Sequence, residues 1–396
     1  VKITYILSAP QMAGFLRGHL STMKASGFSP IIISPEETPQ IKKLVHNEGA
    51  QLFIVPMERN ISLIKDVRGI FQLTYLLWKI KPEITVTIGP KAGLLGGVAS
   101  TWVDTPCRIQ TKWGIRLETA QGILRLVLMI ADKIAASCAH FILCDSHSGK
   151  QRTTELCLAP AQKISVIANG SANGIDTNRF EFNATNQTVA EQFRKELGIL
   201  PNDPLVGFVG RINLDKGIVE LVDSWRKIKA RIPRATLAVI GENECKSSAE
   251  LKALNELKEC AGVKILGARS QIEGLFLAMD VLLLPSHREG FGVVVLEAAA
   301  MKVPTVGFKV TGMKDSVVNH QTGVLVELGD TNGLAQSTIN YLLDPSLKQK
   351  HGEAGRKRVF EDFQQITVWE GYFHFFKRAA NSRGLCTRDI QWRPQQ

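Results

Sequence analysis

No stretch of this chain approaches the roughly 18 to 20 consecutive apolar residues that a membrane-spanning helix needs. The best apolar segments, Gly69 to Ile80 and Ile123 to Ile130, stop well short and carry polar residues. The opening run Lys2–Leu7 is too short for a secretory leader, so a cytoplasmic location is expected. Seven cysteines are scattered over 396 residues, odd in number and without a C-x-x-C pair. That argues against a disulfide framework or a zinc site and for a reducing compartment. The loop after the first apolar run, Ser8 to Gly14, lacks the G-x-G-x-x-G spacing that seats a dinucleotide, which counts against an oxidoreductase. The net charge is +11, yet no nucleic-acid motif accompanies it, and no nucleic-acid partner is expected. Residues 1–170 hold 19 Lys and Arg against 11 Asp and Glu, which leaves only +3 for the remainder. A basic half suits a phosphorylated substrate or an anionic membrane surface.

What is present is a long alternation. Apolar strands at Lys2–Ser8, Pro30–Ser34, Leu52–Pro56 and Ile84–Ile88 are separated by helical segments such as Phe15–Lys24 and Leu63–Ile80. Strands alternating with helices require crossover connections and imply a parallel, doubly wound sheet. Ligands of such sheets bind in the loops at the carboxyl ends of the strands. Asn169 to Asp176, rich in Gly and Asn, suits a connection between domains. Thr188 to Glu196 then reads as a linker helix, and a second strand–helix series begins at Leu205. The fold class is therefore α/β, with two doubly wound parallel-sheet domains.

Two stretches of the second series carry chemistry. After the apolar run Val281–Leu284 comes Pro285-Ser286-His287-Arg288-Glu289-Gly290-Phe291-Gly292, then an alanine-rich helical segment containing Glu297. A strand, a glycine turn and a helix N-terminus in succession offer unpaired N–H groups and partial positive charge to a phosphate. Glu289 and Glu297 bracket the turn, and a carboxylate can accept hydrogen bonds from vicinal hydroxyls. The other stretch is Gly210-Arg211-Ile212-Asn213-Leu214-Asp215-Lys216-Gly217, in which a guanidinium and an ammonium five residues apart can converge on one diphosphate.

The Glu289–Glu297 spacing, with Leu-Pro-Ser before it and Leu-Glu-Ala within it, resembles the family 4 retaining glycosyltransferases of the GT-B fold. Pro90-Lys91-Ala92-Gly93-Leu94-Leu95-Gly96 matches a turn of the subgroup that builds bacterial capsules and other surface polysaccharides. The resemblance extends over nearly the whole chain. It implies two facing Rossmann-like domains: an acceptor-side domain at 1–175, a nucleotide-sugar domain at 176–360, and a helix at 361–383 returning to the first. A loose tail is expected at 384–396. It also implies that Glu289 positions the donor sugar, that Glu297 grips the ribose, and that Arg211 and Lys216 neutralise the departing diphosphate. Gly210, Gly290, Phe291, Gly292, Thr311 and Gly312 would complete the donor site. Met12 and Gly14, with Lys112, Trp113 and Arg116, would lie on the acceptor side. The subgroup carries His-Gly or Arg-Gly where Trp113-Gly114 stands here, so Lys112 or Arg116 would have to supply positive charge instead. No Asp-x-Asp pair occurs, and metal-independent chemistry without a cofactor is expected. The implied partners are a UDP-sugar donor and a lipid-linked saccharide acceptor, on a protein peripheral to the cytoplasmic membrane. A soluble acceptor, or a non-catalytic nucleotide-sugar-binding subunit, are the alternatives.

Overall fold

The computed structural model describes residues 1–58 and 62–394. The chain divides into two compact units, one formed by Val1–Gly174 with the chain from Gln365 onward, the other by Ile175–Gln364. Each is a parallel sheet with helices on its faces.

In the first unit the strands are β1 (Lys2–Leu7), β2 (Ser29–Ser34), β3 (Gln51–Ile54), β4 (Ile84–Ile88), β5 (Cys107–Lys112), β6 (Phe141–Cys144) and β7 (Ile164–Val166). Their order in the sheet is β3-β2-β1-β4-β5-β6-β7, all parallel. The order reverses between β1 and β4, the position at whose carboxyl end sheets of this kind bind their ligands. The strands are apolar throughout because both faces are covered: Ile3, Tyr5 and Val86 are all within 1 % of full burial.

The second unit contains β8 (Leu205–Val209), β9 (Thr236–Ile240), β10 (Val263–Gly267), β11 (Val281–Leu284), β12 (Thr305–Phe308) and β13 (Gly323–Val326), in the order β10-β9-β8-β11-β12-β13. Here the reversal falls between β8 and β11. These are the two strands that feed the Arg211–Lys216 and Glu289–Gly292 loops.

Several expectations need correction. The first helical segment is not continuous: a 3-10 turn, Pro10–Leu16, is separated from the helix His19–Ala25 by Gly18 at φ +75°. A Cβ there would lie 2.3 Å from the Trp369 ring, so the chain bends where only glycine fits. The helix expected as a linker, Ala184–Glu196 in the structure, is part of the second unit's layers. It buries Ala190 and Phe193 and packs on the helix Ile272–Ala278. Thr311 and Gly312, expected in the donor site, lead into one helical turn, Met313–Ser316.

The tail expected to be loose is held in place over its described residues, 384–394. The helix Gln365–Ser382 buries Val368, Phe373 and Phe376 in the core of the first unit, and the chain beyond it stays attached there. Ile390 is buried, Trp392 packs on Phe373 at 5.4 Å, and the Gln391 and Arg393 amides donate to Ser26. These contacts hold a segment whose position at a terminus suggested freedom.

Candidate active site

β8 ends at Val209, and Gly210 turns the chain out of the sheet. Asn213 then caps a short 3-10 turn, its Oδ1 accepting from the Lys216 amide at 3.1 Å. Gly217, at φ +73°, redirects the backbone into the helix Ile218–Arg231. A side chain at Gly217 would place Cβ 1.8 Å from the carbonyl oxygen of Pro285, at the end of β11. The two loops therefore meet backbone to backbone, which no other residue permits.

Polar links also join them. The His287 amide donates to the Asp215 carbonyl at 2.9 Å, and Arg288 pairs with the Asp215 carboxylate at 2.5 Å. Lys216 Nζ donates to Glu289 Oε1, also at 2.5 Å. Glu289 is nearly buried and its ammonium partner largely so. Arg211, more exposed, pairs with Glu244 at 2.7 Å, and Asn213 donates to the same oxygen. His287 sits with Nε2 2.9 Å from Glu220 Oε1, and that bond, outweighing burial, raises the imidazole above its ordinary pKa. Burial pushes the Glu220 carboxyl up, but the hydrogen bonds from His287 and from its own amide, with the His287 charge, together hold it below the usual range.

The loop after β12 closes the turn from its other side. Gly312, at φ +79°, lies so close that a Cβ would be 2.4 Å from the Gly290 carbonyl oxygen. Phe291 is buried, edge-on to Phe363 at 5.3 Å, and anchors the turn in the core. Gly292, at φ +83°, starts the helix Val293–Ala300 and has no side chain to cap its amides. The amides at that end are directed toward the turn, the arrangement that suits an anion. One helical turn on, burial pushes the Glu297 carboxyl up to about 7; Arg179 opposes this and Glu273 reinforces it. Arg179 and Glu273 pair with each other.

Of the donor-side residues expected from sequence, Gly210, Arg211, Lys216, Glu289, Gly290, Phe291, Gly292, Thr311 and Gly312 all lie on the loops after β8, β11 and β12, at one end of one sheet. Glu297 follows on the helix behind them. Sequence reasoning missed Glu244, Asp215, Arg288, Glu220 and His287. The signal available for them was position alone, since each stands in or beside a loop at a strand's carboxyl end or in the first turn of the helix behind one.

The acceptor-side residues lie in the first unit. Met12 packs on Gly89, where a Cβ would come 2.8 Å from its terminal methyl, so the loops after β1 and β4 meet at the strand-order reversal. Ser8 Oγ accepts from the Ala92 amide at 2.8 Å and ties them further. Gly14 lies in the 3-10 turn with open space beside it. Lys112, Trp113 and Arg116 line one recess, together with Gly89, Pro90 and Asp132. Lys112 is buried and paired with Asp132 at 3.1 Å, so its charge is compensated, whereas Arg116 is exposed. Trp113 packs edge-on against Phe15 at 5.2 Å, at the margin of the first unit's core.

Both units are doubly wound, and basic and acidic side chains gather at the strand-order reversal of the second. Residues 189–358 match the family model of glycosyl transferases, group 1. The chain is 34 % identical, over 93 % of its own length and 95 % of the relative's, to the capsular polysaccharide biosynthesis glycosyltransferase CapM of Staphylococcus aureus. It is 27 % identical over 88 % of its length, and 89 % of the relative's, to an Escherichia coli galactosyltransferase. That enzyme is named for UDP-Gal and for an acceptor of GlcNAc on diphosphoundecaprenol. Anabaena Alr3699/HepE, solved in complex with UDP-glucose, shares the fold with a TM-score of 0.78 at 18 % identity, over 95 % of this chain and 99 % of that one. The chain belongs to the group 1 glycosyltransferases.

Proposed function

We propose that the protein transfers a hexosyl or N-acetylhexosaminyl group from a UDP-sugar to a hydroxyl of an undecaprenyl-diphosphate-linked saccharide. The product would enter bacterial capsule, O-antigen or exopolysaccharide, and the anomeric configuration would be retained. The observation that carries this reading is the Lys216–Glu289 pair, with Arg211 on the same loop, set at the β8/β11 reversal beside the Gly292 helix start. CapM and the undecaprenol-dependent galactosyltransferase support the choice of acceptor, and HepE with UDP-glucose supports the choice of donor.

In the free protein Lys216 is occupied by Glu289. An incoming diphosphate offers the ammonium more negative charge, and Glu289 is then released toward the hydroxyls of the sugar. Arg211 exchanges Glu244 for phosphate oxygens in the same way. As the bond between the anomeric carbon and the phosphate oxygen breaks, charge grows on the diphosphate, and Lys216, Arg211 and the turn amides stabilise it. The acceptor oxygen attacks from the face the diphosphate is leaving, its proton passing to the departing phosphate oxygen. The new glycosidic bond forms with retention and UDP is released. No cofactor or metal has a role in this scheme. The protein would work on the inner face of the cytoplasmic membrane, where lipid-linked saccharides carry their diphosphate.

The test is UDP release from a panel of UDP-sugars, with and without a membrane lipid extract, in EDTA. Release with one donor that requires the extract and disappears in Glu289→Ala is expected. Tight UDP binding without turnover on any acceptor would turn the reading into that of a binding subunit. Turnover on a sugar phosphate alone would replace the lipid acceptor by a soluble one.

A further inference from the structure

On one face of the first unit's sheet, the helices Leu63–Ile80, Pro90–Trp102 and Gly122–Cys138 lie side by side, each packed on the next. The middle helix is rich in small residues and mostly covered. The outer faces of its neighbours are not. On the first, Ile64, Val67, Phe71, Tyr75 and Trp78 recur at three- and four-residue spacing and are 53 to 86 % exposed, while Gly69, Leu73 and Leu77 face inward. On the third, Ile123, Leu126, Val127, Ile130 and Ile134 form a second exposed stripe. Exposed Trp102, at the end of the middle helix, has its ring 5.8 Å from that of Phe71 and extends the apolar surface between them. Folded chains rarely leave so many large apolar side chains together in water unless something covers them.

Most of the exposed charge on and beside this face is positive; the exposed carboxylates among the described residues there are Glu58 and, just past Trp102, Asp104, which lies 3.8 Å from Arg108. Arg68, Lys79, Arg125 and Lys133 are exposed on the two flanking helices. Lys65 is exposed too and pairs with Glu58. The carboxylates of these helices, Asp66 and Asp132, are held by Lys91 at 2.6 Å and Lys112 at 3.1 Å. Tyr75 and Trp78 stack on each other, with the Lys79 ammonium 5.6 Å from the Tyr75 ring centre.

We propose that this three-helix face seats the protein on an anionic lipid bilayer. The apolar stripes enter the boundary between headgroups and acyl chains, and the cations meet lipid phosphates. Amphipathic helices with cations beside an apolar stripe lie in the membrane plane. Tyr and Trp favour the same level because their rings are part apolar and part polar. Among the described residues no helix is long and apolar enough to cross a membrane, so an in-plane contact is the form such binding takes. A second copy is disfavoured as the occupant, because a two-fold pairing would press two net-positive faces together. The proposal deepens the lipid-acceptor reading by naming the surface that meets the membrane, and it rests on that reading for its purpose but not for its geometry.

The test is flotation of the whole protein with vesicles of phosphatidylglycerol and phosphatidylcholine, and with phosphatidylcholine alone. Circular dichroism and UDP affinity serve as controls of fold. Co-flotation with the anionic vesicles at low salt is expected. It should weaken about tenfold or more in Phe71→Ser/Trp78→Ser, in Ile123→Ser/Val127→Ser and in Arg68→Glu/Lys79→Glu, with UDP affinity unchanged. Flotation that is absent, or unchanged in all three variants, overturns the proposal. So does self-association in sedimentation that the serine variants abolish while vesicles retain nothing. Flotation without sugar transfer leaves this surface standing and removes the enzymatic reading; transfer to a lipid-linked acceptor without flotation does the reverse.

Discussion

Lys216 and Glu289 each have the other as partner, and both are largely shielded from water. Removing one member of such a pair leaves a desolvated charge, so the loss exceeds what the contact contributed. Lys216→Ala is expected to lower the transfer rate by about 10²–10³-fold and also to lower thermal stability. Adding Glu289→Gln to that variant should recover much of the stability and none of the rate. A double-mutant cycle read by unfolding and by UDP release separates the two effects. Glu297 makes a pH-dependent case. Its folded pKa of about 7 lies above the ordinary 4.5, so the unfolded chain loses that proton first as pH rises. Ionised Glu297 therefore disfavours the folded state increasingly between about 4.5 and 7, and by a constant amount above. Glu297→Gln should be more stable than the parent at pH 8, by on the order of 2–3 kcal/mol, and equal to it near pH 4. Melting curves across that range, compared between the two proteins, check the sign. Which carboxylates bracket the turn was readable from spacing; that Lys216 faces Glu289 and Arg211 faces Glu244 was not, because partners 73 and 33 residues away leave no local trace.

At the scale of elements, the site exists because two strand–loop–helix units approach to backbone contact. Gly217 and Gly312 are the places where that approach depends on having no side chain. In Gly217→Ala, both the positive φ and the overlap with Pro285 must be relieved by moving the loops apart. A loss of about 1–3 kcal/mol and a marked weakening of UDP binding are expected. An alanine at Gly198, which also has a positive φ but open space around it, should strain the backbone and leave UDP affinity intact. Isothermal titration with UDP on both variants distinguishes general strain from damage to the site. The glycines were visible as turn formers in the sequence. Which of them touch another loop depends on the strand order, and the periodicity of a strand does not encode its neighbours. The broken first helix shows the same limit: Phe15 to Lys24 has helical spacing, but the Trp369 ring and Glu48, which accepts the Gly18 and Ser21 amides, impose a bend at Gly18.

At the scale of the whole molecule, the last helix belongs to the core of the first unit although it lies nearly two hundred residues beyond that unit's other elements. Phe376 is fully buried there, edge-on to Tyr5 at 6.5 Å and to Phe28 at 6.3 Å. Phe376→Ala is expected to destabilise the first unit by about 3–5 kcal/mol, while added UDP should raise only the transition that belongs to the second. Calorimetry with and without UDP assigns the two transitions; a UDP-induced rise in the one that Phe376→Ala lowers would contradict this division.

The sequence by itself determined the two parallel-sheet domains, because strand–helix alternation admits few other solutions. It also determined the family, because the Pro-Lys-Ala-Gly-Leu-Leu-Gly run, expected as a turn but in the structure the start of the helix Pro90–Trp102, and the Glu289–Glu297 frame are local patterns. The tertiary structure decided which charges neutralise one another, where glycine is indispensable, that the tail is packed, and that apolar stripes on two helices stay uncovered. Each of these is a fact about residues far apart in the chain, and only closure of the sheets sets their distances.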